Sequence, residues 1–156
     1  MQFFTADYGF QILSLVRSAA VSIDVLCYVS KFVMDKRSDG AFLIFDSLRS
    51  FHSRGLPVRL ILDYPRKHKA NYFCNQFSKR RFVEAGFDVR YLHSGETQHA
   101  KLVVFDSRIA VFGSHNLTPH SVHNRFDISL SIDDPSCVLF LCRYFDNLWD
   151  KSVEAF

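Results

Sequence analysis

The feature that most restricts the fold is a pair of apolar runs that do not alternate. Residues 21–29, VSIDVLCYV, and 57–64, PVRLILDY, place β-branched and aliphatic side chains at successive positions. A strand with one wet face would show a polar residue at every second position; a strand covered on both faces does not. Between the runs, Phe42, Phe45, Leu48 and Phe51 recur near helical spacing. That stretch opens at Ser38 or Asp39 and stops at Gly55, with Pro57 following, which predicts a crossover helix. A second helix is expected from about Asn71 to Gly86, and a third strand over FDVRYLH from Phe87. Strand, helix, strand, helix, strand implies parallel pairing.

The pattern then changes. HAKLVVFD and IAVFGS are separated only by Ser107 and Arg108, too short for a crossover, so they are expected to form an antiparallel hairpin. RFDISLSID alternates as a further strand, and Asp134 with Pro135 opens a last helix carrying Val138, Leu141, Phe145 and Leu148 on one face. An amphipathic helix from about Asp7 to Ala19 completes the set. The fold class expected is α/β: a mixed, largely parallel β-sheet with helices on both faces, forming one domain over residues 1–156. With 48% hydrophobic and 22% charged residues, the chain has the composition of a globular domain, not of a disordered one. Seventeen Phe exceed what a core of this size absorbs and predict apolar surface at a mouth or an interface.

Chemistry concentrates in HAKLVVFDSRIAVFGSHN, residues 99–116. Residues two apart on a strand share a face, so His99 and Lys101 point together while Asp106 points away. Ser114 and Asn116 share parity at the end of the neighbouring strand, where side chains and amides can converge on one anion. A proton carrier or nucleophile, a cation and neutral donors are the inventory that phosphate chemistry needs. Asp106 opens the turn of the hairpin, where a carboxylate most often serves structure. His115, His120 and His123 fit no standard metal-ligand spacing and read as loop histidines near the site. No P-loop, zincin or nucleophile-elbow motif is present.

This run resembles the phospholipase D superfamily. Its hallmark is His, any residue, Lys, four residues, Asp, six residues and Gly-Ser-x-Asn, matched by His99, Lys101, Asp106, Gly113, Ser114 and Asn116. The resemblance implies a phospholipase D-like α/β/α sandwich and a metal-independent phosphodiesterase with no cofactor. It implies that His99 attacks phosphorus to form a phosphohistidine, and that Lys101 and Asn116, with Ser114 alongside, hold the nonbridging oxygens. Relatives often place a carboxylate about eleven residues past the motif Asn to orient the imidazole. Asp127 has that spacing with a shorter reach than Glu, although the place where an Asn-x-Glu triplet would put it holds Phe126. The family mechanism uses two such histidines and this chain carries one motif, so a homodimer is implied.

The partner expected is nucleic acid, DNA or RNA. Formal charge is only +3, but Arg66, Lys67 and Lys69 follow the second strand and Arg80 and Arg81 sit on the next helix, together reading as a phosphate-tracking surface or else a solvated face. The alternatives are a phospholipid phosphodiesterase of cardiolipin type, favoured by the Phe content, and a catalytically silent nucleic-acid-binding module. Cys27, Cys74, Cys137 and Cys142 show no paired spacing, and no leader or membrane-length apolar run is seen. A reduced, cytoplasmic protein without integral membrane association is expected.

Overall fold

The non-alternating runs become strands buried along their length. A computed structural model describes residues 1–36, 38–64, 69–93 and 95–154. In chain order the elements are β1 (Gln2–Phe4), α1 (Tyr8–Ser18), β2 (Ile23–Cys27), α2 (Gly40–His52), β3 (Val58–Asp63), α3 (Lys69–Glu84), β4 (Asp88–Leu92), β5 (Lys101–Phe105), β6 (Ile109–Gly113), β7 (Ser129–Ile132), α4 (Pro135–Lys151) and β8 (Val153–Glu154). All five residues of β2 are buried, because its alternate side chains feed two different cores. Val25 and Cys27 face α1, α2 and α3, whose Ile12, Val16, Ile44, Phe45, Leu48 and Phe82 pack there. Leu26 faces the opposite side, where α4 lays Val138, Phe145 and Trp149 over Ile61, Leu102, Val104 and Ala110.

The described strands form one mixed sheet in the order β1-β7-β6-β5-β2-β3-β4-β8. Parallel pairing is confined to β2–β3 and β3–β4, the two places where a helix supplies the crossover. The remaining five neighbouring pairs are antiparallel. The sheet is therefore mixed but less parallel than the alternation of elements implied, for a topological reason. The segment after β4 returns to place β5 against the open side of β2, hairpins follow, and the short end strands β1 and β8 close the edges. Three and two residues long, these edge strands give too little pattern to be read in sequence.

Local signals fix the helix starts. Asp39 caps α2, its carboxylate accepting from Ala41 N at 2.9 Å and Phe42 N at 3.2 Å, and Asp134 caps α4 with Pro135 in the first turn. Phe32, Phe45, Phe82 and Phe87 stack among themselves in the larger core. The surplus lies outside: Phe10, Phe73, Phe126 and Phe140 are each more than 60% exposed, at 69%, 67%, 86% and 68%.

Candidate active site

Antiparallel insertion of β5 beside β2 puts the start of β5 at the carboxyl end of β2, the edge at which β3 also ends. Lys101, the first residue of β5, pairs with Gly113, the last of β6. Gly113 is required there because a Cβ would lie 2.3 Å from the Ile128 carbonyl and 2.5 Å from Ser129 Cα. Only a bare backbone lets β6 and β7 approach so closely. Before Lys101 the chain is pinned by buried Gln98, whose N–H donates to Asp63 Oδ1 at 3.0 Å and whose Nε2 donates to the Ala100 carbonyl at 2.8 Å. His99 is thereby held at the rim, exposed, beside a buried ammonium.

Lys101 is only 6% exposed, yet among the described residues no carboxylate pairs with it. Its Nζ donates to the His99 carbonyl, stands 3.1 Å from His99 Nδ1, and lies 5.0 Å from the centroid of the Tyr28 ring. A buried cation without a counter-ion is expensive, so this position favours an incoming anion. Burial lowers the Lys101 pKa, against which the charges of Cys27 and Asp127 act. Burial, and then the Lys101 charge, lower the pKa of His99, which keeps its imidazole neutral near pH 7. An ammonium has donors only, so Nδ1 accepts and the proton of the neutral ring lies on Nε2.

Asn116 joins this pair through the chain after β2. Its Oδ1 accepts from Val29 N at 3.3 Å, one residue beyond the Tyr28 ring that touches His99 and Lys101. Its backbone N–H donates to Ser121 Oγ at 2.8 Å, and Nδ2 is left with donors to offer. Ser114 stands behind. Its hydroxyl donates to Asp127 Oδ1 at 2.9 Å and accepts from Ile128 N at 3.0 Å. Asp127 also accepts from Ser121 Oγ at 2.7 Å and Asn124 Nδ2 at 3.2 Å. Burial raises the pKa of Asp127, but these hydrogen bonds and nearby His115 outweigh it, and the carboxyl sits below its ordinary value. Asp127 therefore does not meet His99 as the imidazole orienter expected from spacing. The short side chain reaches the Ser114 and Ser121 hydroxyls and the Asn124 amide instead.

Residues 12–149 match the family described as "Cardiolipin synthase, PLD-like domain". The chain belongs to the phospholipase D-like family. Among curated proteins, it is 28% identical over 107 residues to the mitochondrial cardiolipin hydrolase of Chlamydomonas reinhardtii, covering 69% of this chain and 46% of that one. With the mitochondrial cardiolipin hydrolase of Homo sapiens it shares 24% over 106 residues, covering 67% and 40%. The chain thus spans less than half the length of these relatives. Among solved structures, NucT from Helicobacter pylori superposes with a TM-score of 0.76 at 20% identity, covering 99% of this chain and 98% of that one. Nuc from Salmonella typhimurium, a phospholipase D family member, gives 0.75 at 18% identity, covering 99% and 96%. These two likenesses show the fold, the α/β sandwich of the phospholipase D-like family.

The other motif residues and basic clusters take separate places in this phospholipase D-like frame. Asp106 lies at the far end of β5 from Lys101. Its carboxylate accepts from the N–H groups of Ala20, Val21 and Ser22 at 2.7–3.1 Å, tying the hairpin to the chain entering β2. Lys69 opens α3 near the site, and Arg66 and Lys67 lie outside the described residues. Arg80 and Arg81 do not flank the phosphate position. They sit eleven and twelve residues past Lys69 along α3, about 16–18 Å away along its axis, and both pair with Glu84, at 3.4 Å and 2.9 Å. The helix carries them away because it runs back toward the start of β4. His115 lies in the loop after β6 but is buried there: it stacks on Tyr8 at 4.2 Å and bonds Ser129 Oγ at 2.8 Å. Among the described residues, no group of three or more His, Cys, Asp or Glu is placed to hold a metal.

Sequence reasoning missed Tyr28, Gln98 and a polar stripe on α3. Asn75, 1% exposed, accepts from Ser30 N at 2.8 Å and donates to the Tyr28 and Asp63 carbonyls at 2.8 and 2.9 Å. Ser78 donates to the Ser30 carbonyl at 2.8 Å, and Asn71 to the Tyr28 hydroxyl at 2.9 Å. Their spacing of i, i+4 and i+7 was available in the sequence, but polar residues at helical spacing ordinarily mark a solvated face.

Proposed function

We propose that the chain is a metal-independent nuclease hydrolysing DNA or RNA through a phosphohistidine, at a site shared by two copies. The observation that carries this reading is the buried, unpaired Lys101 ammonium beside a neutral imidazole. A phosphodiester anion entering there takes the Lys101 ammonium as its counter-ion, and Asn116 Nδ2 donates to a second nonbridging oxygen. As Lys101 turns to the phosphate it releases His99 Nδ1, the ring proton moves to that nitrogen, and Nε2 gains the lone pair that attacks phosphorus. The bond to the leaving oxygen breaks as that oxygen takes a proton from the His99 of a second copy, which enters the step protonated and leaves it as the neutral imidazole. Water, deprotonated by the same second imidazole, then attacks the phosphohistidine and frees His99.

Nucleic acid is favoured over lipid by the cationic approach. Asn71, two residues past Lys69, touches Tyr28 at the site, so α3 begins close to it, and Lys69, exposed in its first turn, follows Arg66 and Lys67 in the chain. A cytoplasmic location accords with unpaired cysteines: Cys27 is buried, with burial pushing its thiol up to about 11. Among the described residues no helix is long and apolar enough to cross a membrane.

A second reading, hydrolysis of a cardiolipin-type lipid, is favoured by the names of the curated relatives and by exposed Phe73 and Phe126. One experiment separates the two. Purified protein in excess EDTA is offered labelled single- and double-stranded DNA, RNA and cardiolipin vesicles in parallel. Cleavage of nucleic acid alone is the expected outcome. Hydrolysis of cardiolipin alone replaces the first reading by the second, and activity restored only by added Mg²⁺ or Zn²⁺ refutes the metal-independent mechanism.

A further inference from the structure

Tyr28 touches the reacting pair from a distant part of the chain. Its ring lies 4.6 Å from the His99 ring, centroid to centroid, tilted by 47°. Lys101 Nζ is 5.0 Å from the same centroid. The residue is clamped at both ends: its hydroxyl accepts from Asn71 Nδ2 at 2.9 Å, and its carbonyl accepts from Asn75 Nδ2 at 2.8 Å. The next N–H along, Val29, donates to Asn116 Oδ1. One dipeptide therefore meets three of the groups assigned to phosphate chemistry.

The choice of an aromatic ring has a physical consequence. A buried ammonium needs stabilisation, and a carboxylate would supply it but would remain bound when substrate arrived. The quadrupole of a ring face attracts the cation without neutralising it, so Lys101 keeps its charge for an incoming anion. The same ring covers one side of the imidazole, limiting its rotation and its contact with water.

We propose that Tyr28 is the positioning residue of this site, its ring fixing where the His99 imidazole and the Lys101 ammonium stand, and Asn71 fixing the ring. The inference rests on the reading that His99 and Lys101 carry the chemistry. The groups facing His99 are Lys101 and Tyr28, and those acting on Lys101 are His99, Tyr28, Cys27 and Asp127.

The test compares Tyr28→Phe, Tyr28→Leu and Asn71→Ala in the full chain, with a chromogenic aryl phosphodiester as substrate. Histidine ring signals are followed in parallel by NMR titration, His99 being assigned by its absence in His99→Gln. Tyr28→Leu keeps apolar bulk but has no ring. It is expected to lower kcat roughly 10²-fold, the scale of a small misplacement, with KM within threefold. It is also expected to move the His99 titration upward, as water reaches the imidazole. Tyr28→Phe keeps the ring but loses the bond from Asn71, as Asn71→Ala does, so both are expected to fall between Tyr28→Leu and wild type, with kcat within about tenfold of wild type. The proposal is overturned if Tyr28→Leu leaves kcat and the His99 titration unchanged, or if Tyr28→Phe is no better than Tyr28→Leu. Should Tyr28→Leu not fold, Asn71→Ala decides: a several-fold lower kcat supports the proposal, and wild-type kcat and titration overturn it. A chain inactive on every phosphodiester would sink the functional reading, while the His99 titration would still report on Tyr28.

Discussion

At the scale of single residues, the site works by withholding partners. Among the described residues no carboxylate pairs with buried Lys101, and partial desolvation and then the Lys101 charge lower the pKa of His99. If His99 serves as nucleophile in one copy and proton donor in the other, His99→Ala removes both at once. Loss beyond the 10²–10⁴-fold typical of removing one general acid or base is expected, with the circular dichroism spectrum unchanged. Activity within tenfold of wild type would sink the assignment. Lys101→Ala and Asn116→Ala are expected to lower kcat more than they raise KM, because their contacts strengthen as charge develops. The direction of the His99 shift sets the pH dependence. Protonation removes the attacking lone pair, and a lowered pKa postpones protonation to lower pH. The acid limb of kcat/KM is therefore expected below 6.5, the ordinary imidazole value, and a limb above it would contradict this reading of the His99 environment.

At the scale of elements, the hairpin β5–β6 presents the chemistry and Asp106 anchors it. Asp106 and Ser107 both adopt positive φ, 56° and 53°, and Arg108 N donates to the Phe105 carbonyl at 2.9 Å, closing a tight left-handed turn. Asp tolerates this conformation and uses its carboxylate to gather three N–H groups ahead of β2. Replacing Asp106 by Ala removes those bonds and places a side chain with less tolerance at positive φ. A loss of about 1–3 kcal/mol in urea denaturation is expected, and Asp106→Gly, which relieves the backbone part, should lose less. Full stability in Asp106→Ala would show that the contacts to residues 20–22 contribute nothing. Because the anchor is remote from Lys101, turnover per folded molecule should change far less than in His99→Ala.

At the scale of the whole molecule, the proposed shared site needs the His99 of a second copy, and exposed apolar groups stand near Asp127. Phe126 and Ile128, 86% and 53% exposed, flank Asp127 in the loop that follows Asn116. Sedimentation at assay concentration is expected to give a dimer, and Phe126→Asp to shift it toward monomer with loss of activity; a fully active monomer would be decisive against a shared site. Substrate binding belongs to this scale too. If Arg66, Lys67 and Lys69 contact backbone phosphates, each releases counterions, and neutralising all three should flatten the log–log salt dependence by about two to three units on duplex. An unchanged slope would remove these residues from the substrate path. Arg80 and Arg81, tied to Glu84 at the far end of α3, are expected to leave the slope nearly unaltered when replaced together.

The sequence by itself determined the elements whose signals are local: buried strands from non-alternating runs, helix starts from Asp39 and Asp134, and a β5–β6 hairpin that begins at Lys101, two residues after His99. Those signals lie within a few residues of each other, where side-chain parity and capping bonds operate. Tertiary structure alone decided that β5 enters antiparallel beside β2, that terminal strands flank the sheet, and that Arg80 and Arg81 pair with Glu84 late in α3. It also decided that Asp127 meets Ser114 and Ser121, and that Tyr28, held by Asn71 and Asn75, lies against His99 and Lys101. Long-range pairing depends on energies summed over the whole sheet. A buried Asn is indistinguishable in sequence from a solvated one until the backbone groups it satisfies have been brought to it.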